Sequence, residues 1–214
     1  MDKRQEMKRS ESNYDIQTGQ AQRLFLTFDQ AEIQQDFGLR CDGQFLYINF
    51  VCREYAILRT TGEIFLADDG SKAGFNEVLS IFDMLCKGQG RPVLSGSWES
   101  LSRLGGFIGA GHSNSSMLDP YTAAFTGKTR ELTQACLALG GQPMKTGDVS
   151  FLLPVFDFFP VWFQFWDGDE EEPASLRFLW DKNTLRYLHY ETLWYIMMHI
   201  LQQLLPYCSP SSHR

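Results

Sequence analysis

Apolar residues follow two rhythms along this chain: spacings of three and four in some stretches, and short runs of β-forming residues in others. Ala21, Leu24, Phe25 and Phe28 share one face at helical spacing, and Ala31 and Ile33 continue the pattern. Asp29 is placed to cap a second short helix that Gly38 would stop. Residues 45–51 follow an Asp42-Gly43 turn signal, and two further β-rich runs flank Thr60-Thr61-Gly62. Together these predict a three-stranded antiparallel meander over 44–67. Phe75, Val78, Leu79, Phe82, Leu85 and Cys86 then recur at helical spacing before Gly88 and Gly90.

The stretch 91–116 is rich in Gly and Ser and lacks a clean period, which predicts a surface-wrapping segment with a short helix near 99–104. Asp119-Pro120 reads as an N-cap followed by Pro at the first helical position. A further helix over 129–139 should stop at Gly140-Gly141. Residues 149–153 and 161–166 read as strands, the first apolar on both faces and therefore expected at the centre of its sheet. Residues 176–180 predict another strand. Leu193, Met197, Ile200, Leu201 and Leu204 mark a last helix stopped by Pro206. The expected fold is α+β: one domain over 13–206, a mixed but largely antiparallel sheet packed by amphipathic helices. Flexible tails are expected over 1–12 and 207–214.

A chain of 214 residues can bury a core without disulfides or metals. Its aromatic content of 14% predicts a large core, or a core plus an apolar contact surface. The net charge of −7, with the basic residues Lys3, Arg4, Lys8 and Arg9 interleaved with acids, argues against nucleic acid and anionic membranes as partners. Five cysteines without a CxxC pair point to a reducing, cytoplasmic setting and offer no iron–sulfur or zinc motif. No apolar run reaches the roughly 20 residues of a membrane span, and the charged N-terminus has no apolar run behind it.

The most distinctive chemistry is the acidic run Asp167, Asp169, Glu170, Glu171 and Glu172 around Gly168. Five carboxylates repel one another, and an oxygen-seeking cation such as Mg²⁺ or Ca²⁺ would relieve that repulsion. Asp167, Asp169 and Glu170 are the candidate metal ligands, with Asp148 and Asp181 expected to converge on them. The competing reading is a solvated turn in which Gly168 supplies a positive φ. The run from Gly105 to His112 lacks the Lys-Ser/Thr of a phosphate loop, so a packing loop is favoured. If it does take a small ligand, Arg103 and His112 would form one wall. His189 and His199 are ten apart, about 15 Å along one helix, too far for a shared metal, so surface or capping roles are expected. Cys86 and Cys136 fall at core positions of their helices and read as packing. The stripe Tyr190, Trp194, Tyr195, Met197 and Met198 is apolar on both sides, which suggests that one side meets a protein partner or a second copy.

Trp166-Asp167-Gly168-Asp169-Glu170-Glu171-Glu172-Pro173, preceded by an apolar strand and followed by Phe178-Leu179-Trp180-Asp181, resembles the hallmark of the DUF3786 family. Gly147-Asp148-Val149-Ser150-Phe151 and the segments around 79–85 and 98–106 are similar in order and spacing. The resemblance implies a prokaryotic domain of unknown function, common in anaerobes, whose relatives sometimes carry an iron–sulfur cysteine motif. That motif has no counterpart here. Two functions follow as expectations. The first is a non-catalytic accessory or ligand- and partner-binding module linked to anaerobic redox or cofactor metabolism. The alternative is a divalent-cation-dependent enzyme built on the acidic run.

Overall fold

The computed structural model describes residues 12–87, 89–105 and 115–209. The run Gly106 to His112 and the outer parts of both expected tails lie outside the described residues.

Helix α1 (Asn13–Phe25) starts at a reciprocal cap in which Ser12 and Asp15 bond each other's backbone N–H. Helix α2 (Gln30–Phe37) is capped by the Asp29 carboxylate, which accepts from Ala31 N and Glu32 N. It ends at Gly38 in the left-handed conformation, φ 65°. The first sheet comprises β1 (Arg40–Cys41), β2 (Phe45–Phe50), β3 (Arg53–Leu58) and β4 (Ile64–Leu66), in that order and antiparallel throughout. The meander stands as the sequence predicts.

Its tightest corner uses unusual residues. Val51 and Cys52 both have positive φ, 45° and 62°, in a two-residue turn that normally takes Asn-Gly. A β-branched residue is strained there. Tertiary contact holds it: Val51 is buried, and its N–H donates to Val155 O at 2.8 Å. That bond ties the first sheet to the second.

Helix α3 (Phe75–Cys86) buries Val78, Ile81, Phe82 and Leu85 along one stripe. The second sheet has the order β5 (Trp98–Ser100), β9 (Ser175–Asp181), β8 (Phe159–Trp166), β7 (Val149–Phe156), β6 (Gln142–Pro143), again with antiparallel ladders. The α+β class with antiparallel strands packed by helices holds as expected, with the strands divided between two antiparallel sheets. The central strand is β8, and β7 lies one place further out beside the two-residue β6. Strand β7 is nonetheless apolar on both faces because α6 (Thr129–Ala138) and strand β2 pack against it.

Between β5 and β6 of the second sheet lie α4 (Leu101–Leu104), α5 (Ser115–Phe125) and α6 in sequence. Asp119-Pro120 sits inside α5 and does not begin it. The set Leu118, Tyr121 and Ala124 packs against the core and fixes a helical frame that includes the turn before the proline. After α7 (Thr184–Tyr187) comes α8 (Tyr190–Cys208), which passes through Pro206 to Cys208. Proline removes only one bond in this last turn. Lys128 Nζ donates to Cys208 O at 2.6 Å, which satisfies a terminal carbonyl, and Leu204 and Cys208 stay buried. Helix α8 packs against α3, α5 and α6, so elements of the same chain take up apolar surface on several of its sides. Both sheets and the helices share one apolar cluster, from Phe25 to Cys208.

Candidate functional site

The acidic run is a folded turn at the exit of β8. Asp148 Oδ2 accepts from Asp167 N at 2.7 Å. The Asp167 carboxylate accepts from Gly127 N at 3.0 and 3.1 Å and from Gly168 N at 3.0 Å. Asp169 Oδ1 accepts from Glu171 N and Glu172 N, both at 2.8 Å. These backbone donors hold the exposed Asp169 carboxyl below its ordinary range, Glu172 first and Glu171 second. Gly168 does not have the expected positive φ. It is small because a Cβ there would lie 2.7 Å from Ala174 N. Asp148 and Asp169 thus bond backbone N–H groups of this turn, Asp167 bonds Gly168 within it and Gly127 before α6, and Glu170 is exposed beside them. Among the described residues, no group of three or more His, Cys, Asp or Glu side chains is arranged to hold a metal ion.

Asp181 does not join this turn. Ser175 at one end of β9 pairs with Trp166, while Asp181 at the other end pairs with Trp98. Seven residues of strand separate the two ends by roughly 20 Å. The Asp181 side chain is fully buried and clasps a loop instead. Oδ1 accepts from Ser95 N at 3.0 Å and Asn183 N at 2.8 Å. Oδ2 accepts from Gly96 N at 2.8 Å and Ser95 Oγ at 3.0 Å. Arg103 is exposed and pairs with Glu99 at 3.4 Å, a residue shared with Lys182 at 3.5 Å. Arg103 and Asp181 therefore belong to the opposite end of the second sheet from Asp148, Asp167 and Asp169.

A pocket of about 200 Å³ opens elsewhere, between α1, α3 and α8. Ala21, Leu24, Leu79, Phe82 and Tyr195 give it an apolar lining. Polar groups gather at one end. Asp83 on α3 accepts from His189 N at 2.7 Å and from Thr192 Oγ1 at 2.6 Å, and its other oxygen meets His189 Nδ1. The carboxylate thereby caps α8 from outside and fixes the imidazole by its Nδ1 edge. Nε2 of His189 is left without a partner among the described residues. Lys87 also lines this end and donates to Leu185 O and Leu188 O, both at 2.8 Å. An ammonium has three protons, so one remains. Partial burial lowers the Lys87 ammonium from its ordinary value, against the pull of Asp83. Cys86 shares the pocket, and burial, with a further push from Asp83, raises its thiol to about 12. That thiol is protonated at neutral pH and is no nucleophile.

Sequence reasoning missed this pocket. Asp83 and His189 are 106 residues apart, and neither stands in a recognisable spacing. His189 sits exposed at the N-cap position of α8, but its side chain makes no bond to the helix backbone; Asp83 does the capping. His199 differs from expectation: it is buried, with its ring 5.0 Å from that of Phe50 and Nδ1 3.7 Å from Glu77.

The family model described as "Domain of unknown function (DUF3786)" matches residues 29–203. The chain belongs to the DUF3786 family. The matched span holds the acidic turn, Asp83, Lys87 and His189 of this DUF3786 chain, while α1, which supplies Ala21 and Leu24, precedes it. No curated protein and no solved structure matches this DUF3786 chain.

Proposed function

We propose that this DUF3786 chain is a non-catalytic binding module that takes a small carboxylic acid with an apolar body into the pocket of α1, α3 and α8. The observation that carries the reading is the uncommitted hydrogen-bonding capacity at the polar end, His189 Nε2 and the third Lys87 proton, on residues that line a mostly apolar pocket. Binding sites combine such linings with a few placed polar groups, and this cavity is smaller than the roughly 300–1,000 Å³ of drug-sized sites. The protonated Cys86 thiol supports binding over covalent chemistry. The link to anaerobic redox or cofactor metabolism and the cytoplasmic setting belong to the same proposal and rest on the family resemblance and on cysteine usage.

Calorimetric titration with phenylacetate and butyrate tests it. His189→Asn keeps a residue suited to the N-cap position and a donor for Asp83 but removes Nε2, and Ala21→Phe fills the cavity. Each should weaken binding by about tenfold or more. Binding that both variants leave unchanged, or no heat from the wild type at about 10 mM ligand, would refute the proposal.

A further inference from the structure

The junction of the two sheets holds a second cavity, of about 290 Å³, which shares no lining residue with the first. Two guanidinium groups meet it, each laid on an aromatic ring. Arg40 lies 3.4 Å over the Tyr47 ring and bonds Glu54 at 2.8 Å. Arg91, in the segment after α3, lies 5.2 Å over Phe158 in the turn between β7 and β8. Phe158 is itself stacked on Phe156 and tilted against Phe37, so the support under Arg91 is part of the core packing.

The two arginines differ in what they have left to offer. Arg40 is paired, whereas Arg91 makes no ion pair among the described residues. A guanidinium resting on a ring keeps its in-plane N–H edge free, and that edge fits a carboxylate through two parallel bonds. On the same lining, Asp157 accepts from Asn49 Nδ2 at 3.0 Å through Oδ2, and Oδ1 has no partner among the described residues. The charges on the lining cancel: Arg40 with Glu54, Arg91 with Asp157. A plain anion that reached Arg91 would meet the Asp157 carboxylate. A ligand that also carries a donor converts that repulsion into a hydrogen bond.

We propose that this cleft is a second ligand site, for a small hydroxy- or amino-carboxylate, with Arg91 holding the carboxylate and Asp157 accepting from the hydroxyl or amine. The proposal does not depend on the α1, α3 and α8 pocket. The Asn49 side-chain amide, bonded to Asp157, reports on it by NMR. Titration of the full chain with lactate and with glycine should shift that resonance saturably, and acetate should bind about tenfold or more weakly. Arg91 is exposed, so Arg91→Ala should keep the folded spectrum and lose the response. Arg91→Lys, without the fork, should recover only part of it. Asp157→Asn should erase the preference over acetate, and His189→Asn should change nothing. The proposal is overturned if Arg91→Ala responds as the wild type does, if acetate binds as well as lactate and glycine, or if none of the three shifts the resonance at about 50 mM.

Discussion

Replacing Asp181 by Asn distinguishes a structural clasp from a ligand group. Four donors converge on this buried carboxylate, from Ser95 N, Ser95 Oγ, Gly96 N and Asn183 N. An amide can place its oxygen where Oδ1 was and keep the bonds to Ser95 N and Asn183 N. Those two bonds then lose their ionic character, a loss of about 1 kcal/mol each, from roughly 1.5–3 to roughly 0.5–1.5. The new NH₂ faces two donors. The Ser95 hydroxyl can rotate to accept, but the Gly96 N–H cannot, and an unmet donor costs about 1–3 kcal/mol when kept from water. Gly96 lies at an exposed position, so the lower end applies. The total is about 2–4 kcal/mol, and at about 2–4 °C per kcal/mol for a chain of this size Tm should fall by roughly 4–16 °C. Urea denaturation followed by tryptophan fluorescence measures it, with an unchanged slope expected. A variant within about 0.5 kcal/mol of the wild type would refute the clasp.

Two further outcomes follow from the burial of titratable groups. Burial holds the His199 imidazole below its ordinary value, with Glu77 opposing and Arg53 assisting. The unfolded chain therefore takes up the proton first as pH falls. The His199 contribution is present in full above about 6.5 and is lost progressively below it. His199→Phe, which keeps a ring against Phe50, should flatten that part of the stability–pH curve, and an unchanged acid limb in denaturant titrations at several pH values would contradict the assignment. Thiol chemistry should be equally selective. Cys52 is exposed at the strained turn, whereas Cys86 and Cys136 are buried with thiols raised by desolvation. Maleimide labelling with peptide mapping should mark Cys52 first and reach Cys86 and Cys136 only on denaturation; early Cys86 labelling would show that the pocket thiol is not protected as described.

Much of the fold was legible in the sequence because local signals and tertiary packing agree. The Asp29 cap, the Gly38 stop and the Thr60-Thr61-Gly62 hairpin all act within a few residues. The two proline sites depart for one reason. Asp119-Pro120 and Pro206 look like helix ends locally, but Leu118 with Tyr121 and Leu204 with Cys208 gain enough burial to carry the helices through. The way the two sheets meet, through the bond from Val51 to Val155, is tertiary and no periodicity encodes it. The acidic run was visible as composition, yet its carboxylates act on backbone donors, and neither charge count nor spacing shows that. The pocket was invisible for a related reason. Asp83 reads as an ordinary polar position on α3, and only the packing of α3 against α8 gives it His189 and Thr192 as partners.

The claim on which the functional account turns is that His189 Nε2 meets a ligand inside an apolar pocket. Side-chain ¹⁵N NMR of the histidines during titration with phenylacetate tests it directly. The account predicts a saturable shift at His189 Nε2, with the buried His199 nitrogens unmoved. A response shared by His199, or binding that leaves His189 Nε2 where it was, would contradict it.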